Sequence, residues 1–159
     1  MSHRLRSTMV GLSAAALVAA GSALVTAPAH AATSATVTSL ADSGPGSLRA
    51  AIELANASEP GFVIEFGIAG RIPLASALPA VTNEVNIDAS GAPEYSTGGA
   101  PVVEIDHDGK AGLVFAQGSS GSSLEAVAVT NAGGDGVTIR SSEVLLDGNY
   151  IGITPAGVP

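Results

Sequence analysis

An apolar triplet recurs along the chain at equal spacing: Val103-Glu104-Ile105, Val127-Ala128-Val129 and Ile151-Gly152-Ile153. Glycines follow the triplets at the same spacing, at positions 109, 133 and 157, and a second alternating segment recurs at 112–115 and 136–139. A fixed period of about 24 residues, with short period-two strands between glycine turns, is typical of a stacked solenoid. The repeat therefore predicts a chain that coils and stacks on itself.

The last clear repeat contains three short apolar segments, at 127–129, 137–139 and 144–146, with turns between them. Three strands and three turns within one period predict one coil of a three-faced parallel β-helix. Inward apolar side chains would stack on those of the next coil. Outward positions such as Thr138, Arg140 and Glu143 are polar, as this arrangement requires.

The N-terminus has the pattern of a secretory signal peptide. Arg4 and Arg6 precede an uncharged apolar run at 9–25, and Ala29-His30-Ala31 offers a small-residue cleavage site. We predict cleavage near Ala31 and a secreted or cell-surface location. The alternative is an N-terminal membrane anchor, against which Pro28 and the adjacent cleavage site argue.

Charge and composition exclude several classes of function. Removal of residues 1–31 takes away two of the six basic residues and none of the 14 acidic ones, so residues 32–159 carry a formal charge of −10. That charge repels phosphate and anionic lipid, and we expect neither nucleic-acid nor membrane binding by the processed chain. There is no cysteine, so disulfides, thiolate chemistry and cysteine zinc sites are excluded. Aromatic residues are few, which argues against the usual stacking platforms for sugars and bases.

One helix is predicted in the processed chain. Ser47 is placed as its N-cap, and an apolar face follows at the i, i+3, i+4, i+7 spacing, formed by Leu48, Ala51, Ile52 and Ala55. Solenoids need caps over their open ends, and we expect the helix to cover the first coil. The predicted domains are a signal peptide (1–31), a strand and capping helix (32–61), and coils that are incomplete at the C-terminus (62–159).

Two stretches resemble a known family. Residues 38–52, Thr-Ser-Leu-Ala-Asp-Ser-Gly-Pro-Gly-Ser-Leu-Arg-Ala-Ala-Ile, with Asn56, resemble the SLREAI motif of secreted bacterial right-handed parallel β-helix repeat proteins. Residues 147–152, Asp-Gly-Asn-Tyr-Ile-Gly, resemble the GNYIGT turn of the same proteins. The resemblance implies export and a right-handed, pectin-lyase-like β-helix, but no particular catalytic residue. Ala50 stands where the motif has glutamate, so half of a capping box is missing.

The densest polar cluster is Asp106-His107-Asp108-Gly109-Lys110. Asp106 and Asp108 could hold Ca²⁺ together with backbone oxygens. The further ligands of an EF-type loop are absent, so the alternative is a solvated turn. Calcium is the one cofactor that the sequence suggests, and otherwise we expect none.

Other candidate residues are isolated. Asp88, Asp106 and Asp147 each follow an apolar strand and could form a glycosidase acid and base, although they do not share the register of the repeat. Lyase chemistry would need a base such as Lys110 or Arg140, and a Ser-His-Asp triad would have to use His107. Structural roles are expected for the glycines of 133–136, as positive-φ residues, and for Asn131 and Asn149, as turn residues.

We expect an exported β-helix scaffold with a structural or surface-binding role, whose partners are polysaccharide or cell-surface components. The alternatives are a polysaccharide lyase or glycoside hydrolase, and a gene fragment without function. The repeat stops in mid-coil at Pro159, which predicts a truncated chain or self-association through an open last coil.

Overall fold

A computed structural model describes residues 33–159, so the predicted signal peptide lies outside the described residues. The described part is an all-β fold with one helix, which confirms the predicted class. In chain order its elements are β1 (Ser34–Val37), α1 (Leu48–Asn56), β2 (Phe62–Phe66), β3 (Gly70–Pro73), β4 (Val85–Asp88), β5 (Val103–Asp106), β6 (Leu113–Phe115), β7 (Ser123–Glu125), β8 (Val127–Thr130), β9 (Val137–Ile139), β10 (Leu145–Asp147) and β11 (Tyr150–Ile151).

The strands of residues 33–159 form three sheets in which every pairing between strands is parallel. The first sheet has the order β1-β2-β4-β7-β10, the second β11-β8-β5-β3, and the third β6-β9. From β4 onward the chain visits the first, second and third sheets in turn, and each strand pairs with the strand three places later. Val81 forms an isolated parallel β-bridge with Phe115 of β6, so the segment before β5 also pairs with the third sheet.

The core consists of columns of apolar side chains that run across the sheets. In the first sheet Ile64, Ile87 and Leu124 stack in register, and in the second Ile72, Ile105 and Val129 do the same. All six are fully buried. Because side chains alternate along a strand, the residue on either side of each column member faces outward. Because of this alternation, the inward side chains of the three sheets together form one continuous apolar core.

The predicted register is correct for pairs in two of the three sheets. Ile105 pairs with Val129, and Leu113 pairs with Val137, in each case one full period later. Between β8 and β11 the partners are fewer residues apart in the chain. Ile151 pairs with Val129, whereas the fixed period would pair it with Val127. A shift of two residues keeps the same face inward, so Ile151 still joins the column.

Asn149 explains the shortened step. Its side-chain oxygen accepts a hydrogen bond from the Val127 N–H at 3.0 Å, and its amide donates to the Leu124 carbonyl at 2.6 Å. The side chain therefore takes the place of a strand partner for Val127, and pairing starts one residue later. Asn149 thus has a structural role, as predicted, but it bonds the backbone of other strands rather than its own and has no positive φ. Asn131 has the expected left-handed backbone, with φ of 52°.

The glycines at 133, 134 and 136 do not have the role predicted for them, because none has a positive φ. Gly133 permits close approach between two backbone segments instead. A Cβ there would collide with the backbone carbonyl oxygen of Gly109, and a Cβ on Gly112 would collide with the carbonyl oxygens of Asp135 and Gly136. The three equally spaced glycines therefore differ in role, because Gly109 and Gly157 have positive φ and open space around their Cβ positions, whereas Gly133 allows two backbones to touch.

The helix begins as predicted. The Ser47 hydroxyl accepts a hydrogen bond from the Ala50 N–H at 3.2 Å, and Leu48, Ala51, Ile52 and Ala55 are buried. The Ser47 N–H donates to the Gly44 carbonyl, which takes the place of the motif's glutamate, absent from this chain. The helix packs against β1 and β2, the outermost pair of strands of the first sheet. Residues 33–159 contain no helix with the length and apolar character that a membrane crossing requires.

Polar residues of the motif attach the helix to the chain at 75–83. The Arg49 guanidinium donates to the carbonyls of Ser76 and Ala77 and pairs with Asp42 at 2.6 Å. The Asn56 amide donates to the Ala80 carbonyl, and its oxygen accepts from the Thr82 N–H. These contacts give the motif residues a structural reason for their positions.

Candidate functional site

Four carboxylates form a row across the outer face of the first sheet. Glu65 pairs with Asp88, Asp88 with Glu125, and Glu125 with Asp147, on four neighbouring strands. Neighbouring parallel strands lie about 4.8 Å apart, so the row spans three such intervals. We call these four residues the acidic row. Each directly follows a member of the inward apolar column, which is why all four face outward.

The acidic row has no basic partner within the described residues. Of the four lysines and arginines there, Arg49, Arg71 and Lys110 form ion pairs elsewhere, and none of the four, Arg140 included, forms an ion pair with the row. Three depressions of about 290 to 400 Å³ border the row along its length. The row is therefore an accessible strip of negative charge.

Neutralising the middle of the row should stabilise the protein. Like charges directly opposite one another on adjacent strands destabilise a sheet by roughly 0.2 to 1 kcal/mol. We expect Glu125→Gln to raise the free energy of unfolding by about that amount at low salt, and the gain to shrink at high salt. Urea denaturation at two salt concentrations measures this. Glu59→Gln removes an exposed carboxylate outside the row and should change little; an equal gain there would contradict the prediction.

The structure brings together two of the three aspartates that were considered for glycoside hydrolysis. Asp88 and Asp147 lie in the acidic row, with Glu125 between them, whereas Asp106 lies on the second sheet. A fixed period could not predict this arrangement, because many more residues separate Asp88 from Glu125 than separate Glu125 from Asp147. Glu65 and Glu125 were not predicted as site residues. In the sequence, each could have been recognised as an acidic residue that directly follows an inward-facing apolar residue of a strand.

Asp106 is a structural node rather than a free ligand. Its carboxylate is buried and pairs with Arg71 of β3. It also accepts hydrogen bonds from the Asn131 amide at 2.9 Å and the Asp108 N–H at 3.0 Å. Burial raises the pKa of Asp106, but these hydrogen bonds and the Arg71 charge outweigh it and hold the pKa below its ordinary value. The Asp106 carboxylate therefore links β3, β5 and the turn after β8 through one ionised group.

The fit of the turn to calcium is poor. Asp108 is exposed and pairs with Lys110 at 2.9 Å, while Asp106 is occupied by Arg71 and Asn131. Within residues 33–159 no three histidine, cysteine or acidic side chains are grouped so as to hold a metal ion. A calcium ion here would have to displace both basic side chains. Calcium binding by Asp106 and Asp108 stays a prediction.

The two proposed lyase bases are not brought together in one constellation. The Lys110 Nζ contacts the Asp108 carbonyl and carboxylate, and Arg140 lines a groove on the third sheet with Thr138 and Asp135. The lining of this groove includes several glycines, one basic residue, Arg140, and one acidic residue, Asp135. A single carboxylate does not provide the paired carboxylates that would hold a cation beside a base.

His107 is fully buried, and its Nδ1 lies 2.7 Å from the Ala111 carbonyl oxygen. A carbonyl only accepts hydrogen bonds, so Nδ1 carries the proton and Nε2 does not. Nε2 is buried without a partner within the described residues. Burial lowers the pKa of His107, and the Ala111 hydrogen bond and the Asp106 charge oppose this only in part. The ring is therefore neutral and out of contact with solvent.

Buried neutral His107 should make stability depend on pH. Its pKa is depressed in the folded state, so the unfolded chain binds the extra proton as pH falls below 6.5. The stabilisation is complete above pH 6.5 and is lost between that pH and the lower pKa of the folded state. We expect the free energy of unfolding to fall there by at most about 1.4 kcal/mol per pH unit. Chemical denaturation at a series of pH values measures the slope.

The control for this slope is His107→Gln, which keeps a hydrogen-bond donor and cannot titrate. Asp106 and Asp42 also titrate with depressed pKa values, but their windows lie below the ordinary value of 3.8. The variant should therefore lose the slope near pH 6 and keep the loss of stability below pH 4. An unchanged slope near pH 6 would show that His107 does not cause it.

No protein-family model, curated protein or solved structure matches this chain.

Proposed function

We propose that residues 33–159 form coils of a right-handed parallel β-helix that serves as an exported scaffold. The observation that supports this most is the cyclic order of the three sheets, in which each strand pairs in parallel with the strand three places later. Parallel crossover connections are right-handed in nearly all proteins, and we assign that hand here. The resemblance of residues 38–52 and 147–152 to secreted β-helix repeat proteins supports the same assignment.

The proposed role is structural or surface-binding, with polysaccharide or cell-surface components as partners. The outer faces carry serine, threonine and unpaired carboxylates, which can hydrogen-bond to sugar hydroxyls. Export through a signal peptide cleaved near Ala31 would bring such a surface into contact with extracellular glycans. Mass spectrometry of the protein recovered outside the cells would test export, with an N-terminus at Ala32 as the expected result.

Cysteine cross-linking tests the stacking of the coils, because the chain has no cysteine of its own. Val114 and Thr138 are register partners on the outer face of the third sheet. Their separation of about 4.8 Å suits a disulfide, so Val114→Cys with Thr138→Cys should oxidise readily. In the control, Val114→Cys with Arg140→Cys, the residues are diagonal and about 7 to 8 Å apart, and oxidation should be slow. Equal oxidation would contradict stacking in this register.

Polysaccharide binding is tested by retention on a panel of insoluble polysaccharides, followed by analysis of the released sugars. Retention without any product supports the scaffold role. Retention on none of the panel would contradict the surface-binding role.

A glycoside hydrolase is the second candidate, and the acidic row favours it. The strand spacing of about 4.8 Å compares with a carboxyl separation of about 5 Å in retaining glycosidases. Release of sugars that disappears in Glu125→Gln or Asp147→Asn would establish hydrolysis. Persistence of the product in both variants would exclude the row as its source.

The last members of the apolar columns, Ile139, Leu146 and Ile151, are 36 to 44 % exposed. We propose that they allow self-association of the protein. Light scattering should then show a mass that rises with concentration in the native chain and not in Ile151→Ser.

A further inference from the structure

One corner of the fold carries an insertion. The first sheet connects to the second through Ala126 alone after β7, and through Gly148 and Asn149 after β10. After β4 the same corner is a long loop that comprises positions 89–102. Loops of more than about 12 residues in compact domains usually bind something or cover a site. The loop folds toward the two following coils rather than away from them.

A cleft lies between this loop and the two short corners. The loop contributes Ser90, Tyr95 and Thr97, the coils contribute Glu125 and Asp147, and the volume is about 330 Å³. That size falls within the range of small-ligand sites. We call it the loop cleft. It contains two of the four carboxylates of the acidic row, Glu125 and Asp147.

Tyr95 is held in place by its surroundings. It is half-buried and packs against the core, and its hydroxyl lies 3.8 Å from the position that a Cβ on Gly148 would occupy. Gly148 has φ of +61°, a backbone conformation in which a residue with a Cβ would be strained. The low aromatic content of the sequence argued against stacking platforms, yet one tyrosine is sufficient for one sugar ring.

The chemistry of the lining selects the ligand. A fixed aromatic side chain attracts both the apolar face of a sugar and a positive charge near it. Two hydroxyls and two carboxylates can accept hydrogen bonds from sugar hydroxyls and ammonium groups. The carboxylates have no basic partner among the described residues, so an acidic sugar would be repelled.

We propose that the loop cleft binds an amine-bearing sugar unit of a cationic polysaccharide. This rests on the proposed surface-binding function and specifies its ligand class. Tyr95 supports the ring, and Glu125 and Asp147 bind the ammonium group. The negative charge of the whole chain attracts such a polymer over a longer distance.

Calorimetric titration of the secreted protein with oligomers of glucosamine tests this, at a pH where the amines are protonated. Oligomers of N-acetylglucosamine and of galacturonate serve as comparison ligands. We expect binding of the glucosamine oligomer to weaken roughly tenfold in Glu125→Gln/Asp147→Asn and in Tyr95→Leu. Glu53→Gln/Glu59→Gln removes the same charge from exposed positions elsewhere and should leave affinity within about twofold.

The outcomes separate the two proposals. Equal weakening in both double variants, or equal binding of glucosamine and N-acetylglucosamine oligomers, overturns the loop cleft as an amine site and leaves surface binding intact. Binding of none of the three ligands, together with no retention on polysaccharide, overturns both. Thermal unfolding of each variant shows whether the fold is retained. Tyr95→Leu does not alter the charge, so its loss of affinity supports the cleft independently.

Discussion

Val129→Asp should strongly destabilise the protein. Val129 is fully buried in β8, between Ile105 on one side and Ile151 on the other, at the centre of an apolar column. A carboxylate there would have no partner and would also remove valine packing. An uncompensated buried charge costs about 3 to 5 kcal/mol, a large part of the stability of a domain of this size. Circular dichroism and denaturation of the purified variant measure the effect.

The matched control is Val114→Asp, the same change on the outer face of the third sheet. Val114 is half-buried, and its register partner is Thr138. We expect a loss of no more than about 1 kcal/mol there, because the new carboxylate can reach water. Comparable unfolding of both variants would refute the assignment of inward and outward faces.

Gly133→Ala should have the second largest effect. Its new methyl group would collide with the backbone carbonyl oxygen of Gly109, and backbone cannot move aside as a flexible side chain can. Overpacking costs about 1 to 3 kcal/mol even among side chains, so we expect a loss of about 3 kcal/mol or more. For a domain of this size that corresponds to a decrease of roughly 10 °C in the melting temperature.

The adjacent glycine provides the control. Gly134 has no heavy atom within 4 Å of its Cβ position and no positive φ, so Gly134→Ala should be neutral or stabilise by about 0.4 to 1 kcal/mol. Gly112→Ala should behave like Gly133→Ala, because its methyl would meet two carbonyl oxygens. Equal melting temperatures for the variants at 133 and 134 would contradict the close approach of the coils.

Most strands could be predicted because their residues alternate strongly. Strands β5 and β8 begin at the first residues of the apolar triplets at 103–105 and 127–129 and end one residue after them. Strand β7 was missed, since Ser123-Leu124-Glu125 holds a single apolar residue and is too short to show a periodic pattern of its own. It is a strand because Leu124 completes the column between Ile87 and Leu146. Pairing with neighbours, not local propensity, decides such a segment.

The alternation that makes an all-β fold and the N-cap of the helix can be derived from the sequence, because each depends on residues close together in the chain. The repeat and the acidic charge follow likewise from spacing and composition. Which carboxylates lie side by side, and what the glycines do, depends on contacts between segments that are distant in the chain. The acidic row joins residues 65, 88, 125 and 147, whose separations follow the lengths of the connections and so have no period. Close approach at Gly133 likewise depends on a backbone one coil away. Strand pairing places residues that are unequally separated in the chain at equal distances across a sheet. The residue numbers alone do not show which residues become neighbours in this way.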